Sequence, residues 1–347
     1  MALHRYDATV TTLYAELLDQ LLALEGQRSI ANLRGGFASK TLNARRYWYF
    51  QYRDINQRVR QVYIGPDNDT ARRFVERFGD KREQVVPDER QIERLCGMLR
   101  QGGMRPADAG VFRILRALAD GGLFRQGAVL VGTHAFVAIG GLLGVRWANP
   151  SMQTQDIDVA RDNSVDLALP PRESIDLPAV LESLEMGFLP VPALNPRSPS
   201  TSFKIRGRDL RLDLLTPSKT TRSKPVYFDA IKAAAQPLRF LDYLMERPER
   251  AAFIGRSALL VNIPDPARFA LHKLVVSRMR PAAFQAKASK DREQAARLLE
   301  DRRFDVESAW EAIQDRGERW ARLVLSELNP LEKSHPEVAA LAREVIR

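Results

Sequence analysis

With 347 residues, the chain is long enough for two or three domains and too long for a single small core. Lys and Arg outnumber Asp and Glu by 53 to 43, and a net charge of +10 points to a polyanionic partner. One cysteine, Cys96, excludes an intramolecular disulfide and agrees with a reducing cytoplasm, and with only four histidines beside it no zinc site is expected.

Residues 9–24 place Leu13, Leu17, Leu18, Leu21 and Leu22 along one side, which predicts an amphipathic helix. Arg34-Gly35-Gly36-Phe37 reads as a turn. A basic aromatic β-hairpin is then predicted over about 43–65: aromatic strands on either side of Asp54-Ile55-Asn56. Arg45, Arg46, Tyr49, Arg53, Arg58 and Arg60 are its candidates for nucleic-acid contact, because guanidinium groups suit phosphates and exposed rings suit unstacked bases. A hairpin packed against neighbouring helices explains the same residues without a ligand. Helical spacing follows over 69–78, 88–100 and 106–119, with Asp88 as a cap, Pro106 in a first turn and Cys96 in the packing. Gly121-Gly122 ends this helical body, and a domain boundary is expected within 121–127.

Then the pattern changes. Ala128-Val129-Leu130-Val131 is a short apolar strand broken at Gly132-Thr133 and followed by a helical run. Residues 128–145 are long enough to raise the question of a membrane span, but their glycines, His134 and the acidic strand beyond favour a buried strand and helix. With no secretory leader evident, a soluble cytoplasmic protein is expected. In Gln155-Asp156-Ile157-Asp158-Val159-Ala160 the alternation puts Asp156 and Asp158 on one face and Ile157 and Val159 on the other. Two carboxylates so placed repel unless a cation lies between them, and a hard divalent cation is the natural one. A loop over 162–171, a short helix at 177–185 and an extended piece at 187–190 come next. Strands at 201–206 and 209–215, turning at Gly207-Arg208, carry Asp213. The polar stretch 218–224 is a basic loop, and 237–263 reads as short extended pieces. Helices are predicted at 266–279, with His272 and Lys273, at 289–300, opening on Lys290-Asp291, and over 304–315, 319–328 and 336–346. His134 and His272 read as satisfied structural histidines.

The order strand, Gly132-Thr133, helix, Asp156-x-Asp158 and a separate Asp213 resembles the nucleotidyltransferase fold of the DNA polymerase β-like superfamily. Within it the chain is similar to bacterial abortive-infection-toxin-type nucleotidyltransferases, whose later Lys-Asp pair is matched by Lys290-Asp291. The resemblance spans residues 127–300. It departs from the pattern in two places: Thr133 stands where Ser or Gly is usual, and the gap from Gly132 to Asp156 is longer than the minimum. The resemblance implies an α+β fold with a mixed sheet flanked by helices: an N-terminal region at 1–122, a catalytic domain at 123–264 and a helical C-terminal domain at 265–347. It implies Mg²⁺- or Mn²⁺-dependent transfer of a nucleoside monophosphate from a nucleoside triphosphate to an acceptor hydroxyl. Asp156, Asp158 and Asp213 would be catalytic metal ligands; Gly132, Thr133, Lys273, Lys290 and Arg146 would meet the triphosphate, and Asp291 would serve there too or orient Lys290 or cap its helix. The basic excess favours an RNA acceptor such as tRNA, with an antitoxin protein as a candidate partner. A protein or small-molecule acceptor, or a non-catalytic nucleic-acid-binding protein with the same fold, are the alternatives.

Overall fold

The computed structural model describes residues 4–31, 35–42, 45–53, 59–67, 72, 85–147, 154–162, 175–193, 195–218, 220, 224–301 and 304–346. The helix expected at 69–78, the loop expected at 162–171 and the basic loop at 218–224 fall largely outside these residues.

The chain opens with β1 (His4–Arg5) and α1 (Ala8–Ala31), whose Val10, Tyr14, Leu17, Leu21 and Leu24 are buried at helical spacing. Strands β2 (Gly35–Leu42), β3 (Arg45–Arg53) and β4 (Val59–Pro66) pair antiparallel in that order. Residues 35–37 thus open a strand where a turn was expected. The aromatic strand β3 takes a ladder partner on both edges, and Phe37 pairs with Phe50. Helix α2 (Val85–Gln101) starts three residues before Asp88, which lies inside it and does not cap it. Helix α3 (Ala109–Asp120) starts after Pro106, and its cap is Asp108, whose side chain accepts from the N–H groups of Gly110 and Val111.

The apolar stretch after Gly127 becomes β5 (Val129–Val131), α4 (Gly132–Leu142) and β6 (Val145–Arg146), which pairs with β1. Among the described residues no helix is long and apolar enough to cross a membrane. There follow β7 (Asp156–Ala160), α5 (Leu177–Ser183), β8 (Phe188–Pro190), β9 (Ser202–Ile205), β10 (Arg211–Pro217), β11 (Val226–Phe228) and β12 (Ala233–Leu238). A short helix, α6 (Leu241–Met245), interrupts the stretch expected to be extended, because Leu241, Tyr243 and Leu244 bury one side of a turn. The hairpin β13 (Pro248–Ile254) and β14 (Ala258–Pro264) leads into α7 (Pro266–Met279), α8 (Gln285–Leu299), α9 (Val306–Gln314), α10 (Glu318–Ser334) and α11 (Pro336–Val345). Helix α8 begins four residues earlier than its sequence spacing indicates, so Lys290-Asp291 sits in its second turn.

The fold is α+β, with a mixed sheet flanked by helices. Its order is β11-β12-β10-β7-β5: β10 runs parallel to β7 and β12, β5 antiparallel to β7, and β9 antiparallel to the first half of β10. One core joins the apolar faces of β5, β7 and β10 to α3, α4, α7 and the C-terminal helices. A second core lies between α1, α2 and one face of the β13–β14 hairpin, where Cys96 is fully buried. Strand β14 is buried along its whole length and on both faces, as is the second half of β13.

Candidate active site

Strand β7 buries Ile157 and Val159 and leaves Asp156 and Asp158 partly open on the other face. Strand β10 repeats the pattern, burying Leu212, Leu214 and Thr216 and presenting Arg211 and Asp213. The two strands are parallel and in register, so Arg211 lies beside Asp156 and Asp213 beside Asp158. On the far side of β7, Val131 of β5 pairs with Asp158, which puts the Gly132 turn against that carboxylate. Gly132 has φ +67°, and a Cβ on it would lie 2.3 Å from Asp158 Oδ2. Only glycine meets both conditions, a left-handed backbone and no side chain. Helix α4 starts there with no side-chain cap, and Thr133 lies in its first turn.

Electrostatically the cluster is under tension. Burial, and then the neighbouring Asp213, push the Asp158 acid up to about 7; Asp156 adds to this, while Lys273 and Arg211 oppose it. Asp213 itself is held: Arg211 Nε donates to its Oδ1 at 2.8 Å, Ser202 donates to the same oxygen, and Arg211 Nη2 donates to Ser202 Oγ at 2.9 Å. Lys273 on α7 is buried and donates to Asp291 Oδ1 at 2.8 Å, while Arg280 meets Asp291 Oδ2 at 3.0 Å. Asp291 is therefore a buried anchor for Lys273 and Arg280, and neither a helix cap nor a group open to a nucleotide. Half-buried Lys290 has its pKa lowered by burial and by Lys273, against the pull of Asp291 and Asp156.

The structure brings together Asp156, Asp158, Asp213, Gly132, Thr133, Lys273 and Lys290. It places Arg146 elsewhere, at the end of β6 on the rim of a cavity that reaches Asp156 from the N-terminal side. The hairpin candidates are a separate matter. Arg45, Arg53 and Arg60 lie on β3 and β4, and Arg58 is outside the described residues. Exposed Arg46 stacks over Trp48 at 5.5 Å and reaches Asp67 at 4.0 Å, and Lys40 lies over the Tyr49 ring at 5.6 Å. His272 is a buried neutral histidine, lowered to about 3 chiefly by desolvation. His134, lowered to about 4 in the same way, departs from expectation: its Nε2 is buried with no hydrogen-bond partner among the described residues. Arg211 and Ser202 escaped the sequence reading. Arg211 was findable, being two residues from Asp213 and so on its face, whereas Ser202 needed the β9–β10 pairing.

The donor set decides whether a divalent cation suits this site. Oxygen ligands and a carboxyl raised by burial and by the neighbouring Asp213 are the chemistry that a hard cation relieves. Among the described residues no three His, Cys, Asp or Glu side chains are grouped so as to hold a metal ion, and Arg211 and Ser202 engage Asp213. Asp156 and, once it gives up its proton, Asp158 suit such a cation, and Asp213 suits it once Arg211 releases it.

A family model described as Nucleotidyltransferase matches residues 109–315, more than half of the chain. No curated protein matches it. A solved structure, an antigenic nucleotidyltransferase-like protein from Paracoccidioides brasiliensis, is similar over 69% of this chain and 95% of its own, with 11% identity and a TM-score of 0.37.

Proposed function

The chain belongs to the nucleotidyltransferase family, and from that premise we propose that it moves a nucleoside monophosphate from a nucleoside triphosphate to an acceptor hydroxyl on RNA, with Mg²⁺ or Mn²⁺. The observation that carries this reading is the in-register pair Asp158 and Asp213, with Asp156 on the same face and a glycine turn that admits no side chain.

When bound at Asp156 and Asp158, divalent cations supply charge neutralisation and alignment of the attacking and leaving oxygens. The protein's own groups do the rest. N–H groups at the start of α4 and the Thr133 hydroxyl face the phosphates, where Gly132 lets the backbone come close. Lys273, held in place by its ion pair with Asp291, and Lys290 balance the remaining negative charge. Asp213, released from Arg211, accepts the proton of the acceptor hydroxyl or helps to hold a cation; the acceptor oxygen bonds to the α-phosphorus as its bond to the β-phosphate oxygen breaks and pyrophosphate leaves, and Arg211 is then free to meet a phosphate oxygen.

The test is incubation of the purified protein with Mg²⁺, each labelled triphosphate, and total cellular RNA or protein. Labelled RNA, lost in Asp156→Asn, Asp158→Asn and Asp213→Asn by at least a hundredfold, is the expected result. Labelled protein moves the acceptor, and no labelled product of any kind removes the reading. A toxin-like role with an antitoxin partner belongs to the same proposal; there, growth arrest on expression is relieved by the same substitutions. The hold of Arg211 and Ser202 on Asp213 favours one second reading, a non-catalytic nucleic-acid-binding protein. It predicts RNA binding with no label transfer.

A further inference from the structure

Beside the carboxylates lies a cavity of about 590 Å³ that nucleotide transfer, as described above, leaves unused. Asp156 lines its inner end, so the cavity and the acidic cleft share one carboxylate. One wall, at residues 6, 14 and 104–108, comes from outside the segment 109–315 that the family model matches. What a family shares must serve its common substrate, here the triphosphate. A wall added from elsewhere suits the substrate that varies, the acceptor.

The wall chemistry narrows that acceptor. Arg105 and Arg146 are exposed at the cavity rim, and among the described residues neither has an ion-pair partner. Of the acids that line it, Asp108 accepts from the first N–H groups of α3, Asp209 lies 4.0 Å from Lys204, and Asp156 stands at the inner end. The two exposed guanidinium groups at the rim are therefore open to an anion, and arginine suits phosphate in particular. Trp147 gives the cavity flat apolar surface: its indole N–H is spent on the Phe136 carbonyl at 2.9 Å, and one ring face stacks on Phe136 at 4.3 Å. His134, 7% exposed, lines the inner wall with its unpartnered Nε2.

A phosphate, a flat ring and a hydroxyl that can reach Asp156 occur together in a nucleotide. Resting on the transfer reading, we propose that this cavity is the acceptor pocket and holds one nucleotide unit, its phosphate at Arg105 and Arg146 and its ribose hydroxyl toward Asp156. The volume fits, since pockets of roughly 300–1,000 Å³ take ligands of this size. A free mononucleotide and the 3′ end of a strand share this chemistry, and the test separates them.

The probes are a fluorescein-labelled hexaribonucleotide with a free 3′ hydroxyl, adenosine 5′-monophosphate as competitor, and ATP with Mn²⁺ in equilibrium dialysis. The double variant Arg105→Ala with Arg146→Ala is expected to weaken hexaribonucleotide binding at least tenfold while ATP binding stays within twofold. Val137→Trp, which fills the cavity without removing charge, is expected to do the same. A matched loss of charge far away, Arg319→Ala with Arg322→Ala, is expected to change binding less than threefold. Equal losses in both double variants would mean diffuse attraction to a basic surface and overturn the pocket. Loss of ATP with the hexaribonucleotide retained would make the cavity the donor's and overturn it too. Competition by the monophosphate at the strand's own affinity supports a free nucleotide as acceptor; a strand preference of tenfold or more supports a strand end. Label transfer is scored apart: selective binding here with no transfer anywhere sinks the parent reading and the acceptor role, leaving a nucleotide-binding cavity.

Discussion

Asp158 concentrates the conflict in this molecule. In the cation-free fold it holds its proton up to about pH 7, whereas an ordinary aspartic acid releases it near 3.8. Between those values the folded chain binds the extra proton, so the contribution of Asp158 to stability declines as pH rises and is gone above about 7. His134 and His272 act in the opposite direction. Their folded pKa values, about 4 and about 3, lie below 6.5, so their contribution is present above 6.5 and is lost as pH falls toward 4. Asp158→Asn isolates the first effect. It is expected to melt higher than wild type at pH 8 without divalent cation, with the gap closing below pH 4, each pH unit contributing at most about 1.4 kcal/mol. Added Mg²⁺ should raise the wild-type Tm and leave the variant unmoved; identical melting at pH 8 refutes the buried-charge account. Gly132→Ala tests the wall beside Asp158. A left-handed backbone and a 2.3 Å contact with Oδ2 make it costly, by about 1–3 kcal/mol, with label transfer abolished. A variant as stable and active as wild type would show the turn to be incidental.

At the scale of elements, β7 and β10 are legible from their alternation alone: acids at every second position and aliphatic side chains between. The chain cannot announce which strand lies next to which. Asp213 is beside Asp158 because a βαβ-like path makes the strands parallel and sets their register. Lys273 and Asp291 make the same point for helices. Each sits on an element correctly expected, yet their contact depends on how α7 packs on α8. With 10% and 5% of their side chains exposed, they form a buried pair, and removing one partner strands the other's charge. Asp291→Asn is expected to lower stability by about 3 kcal/mol in urea titration, because Lys273 and Arg280 lose their anion together. Lys273→Met should cost less, since Asp291 keeps Arg280; a larger loss from Lys273→Met contradicts this division.

For the whole molecule, the net charge of +10 has a definite consequence. Binding of a labelled oligoribonucleotide should fall linearly on a log–log plot against salt, with slope about −0.7 for each phosphate neutralised. Arg46→Ala, on the exposed side of the β2–β3–β4 sheet, should reduce that slope by about 0.7 if this sheet meets RNA, and an unchanged slope excludes it there. The architecture also explains how the N-terminal region reaches the site. Tyr14 on α1 donates to the Ala252 carbonyl at 3.3 Å and accepts from its N–H at 3.0 Å, pinning the helix to β13 beside the acceptor-side cavity.

By itself, the order of residues determined the acid-bearing strands, the glycine break and most helices, since these follow from local periodicity and from backbone freedom at one position. It misplaced caps and helix starts, where Asp108 prevailed over Pro106 and α8 ran on toward Gln285, because ends are settled by packing and by which side chain reaches an open N–H. Tertiary structure alone decided that Arg211 and Ser202 hold Asp213, that Asp291 serves Lys273, and that Arg146 faces a cavity and not the lysine cluster. These are contacts across long stretches of chain, and a side chain's charge partner depends on distance in space, which strand register and helix packing set.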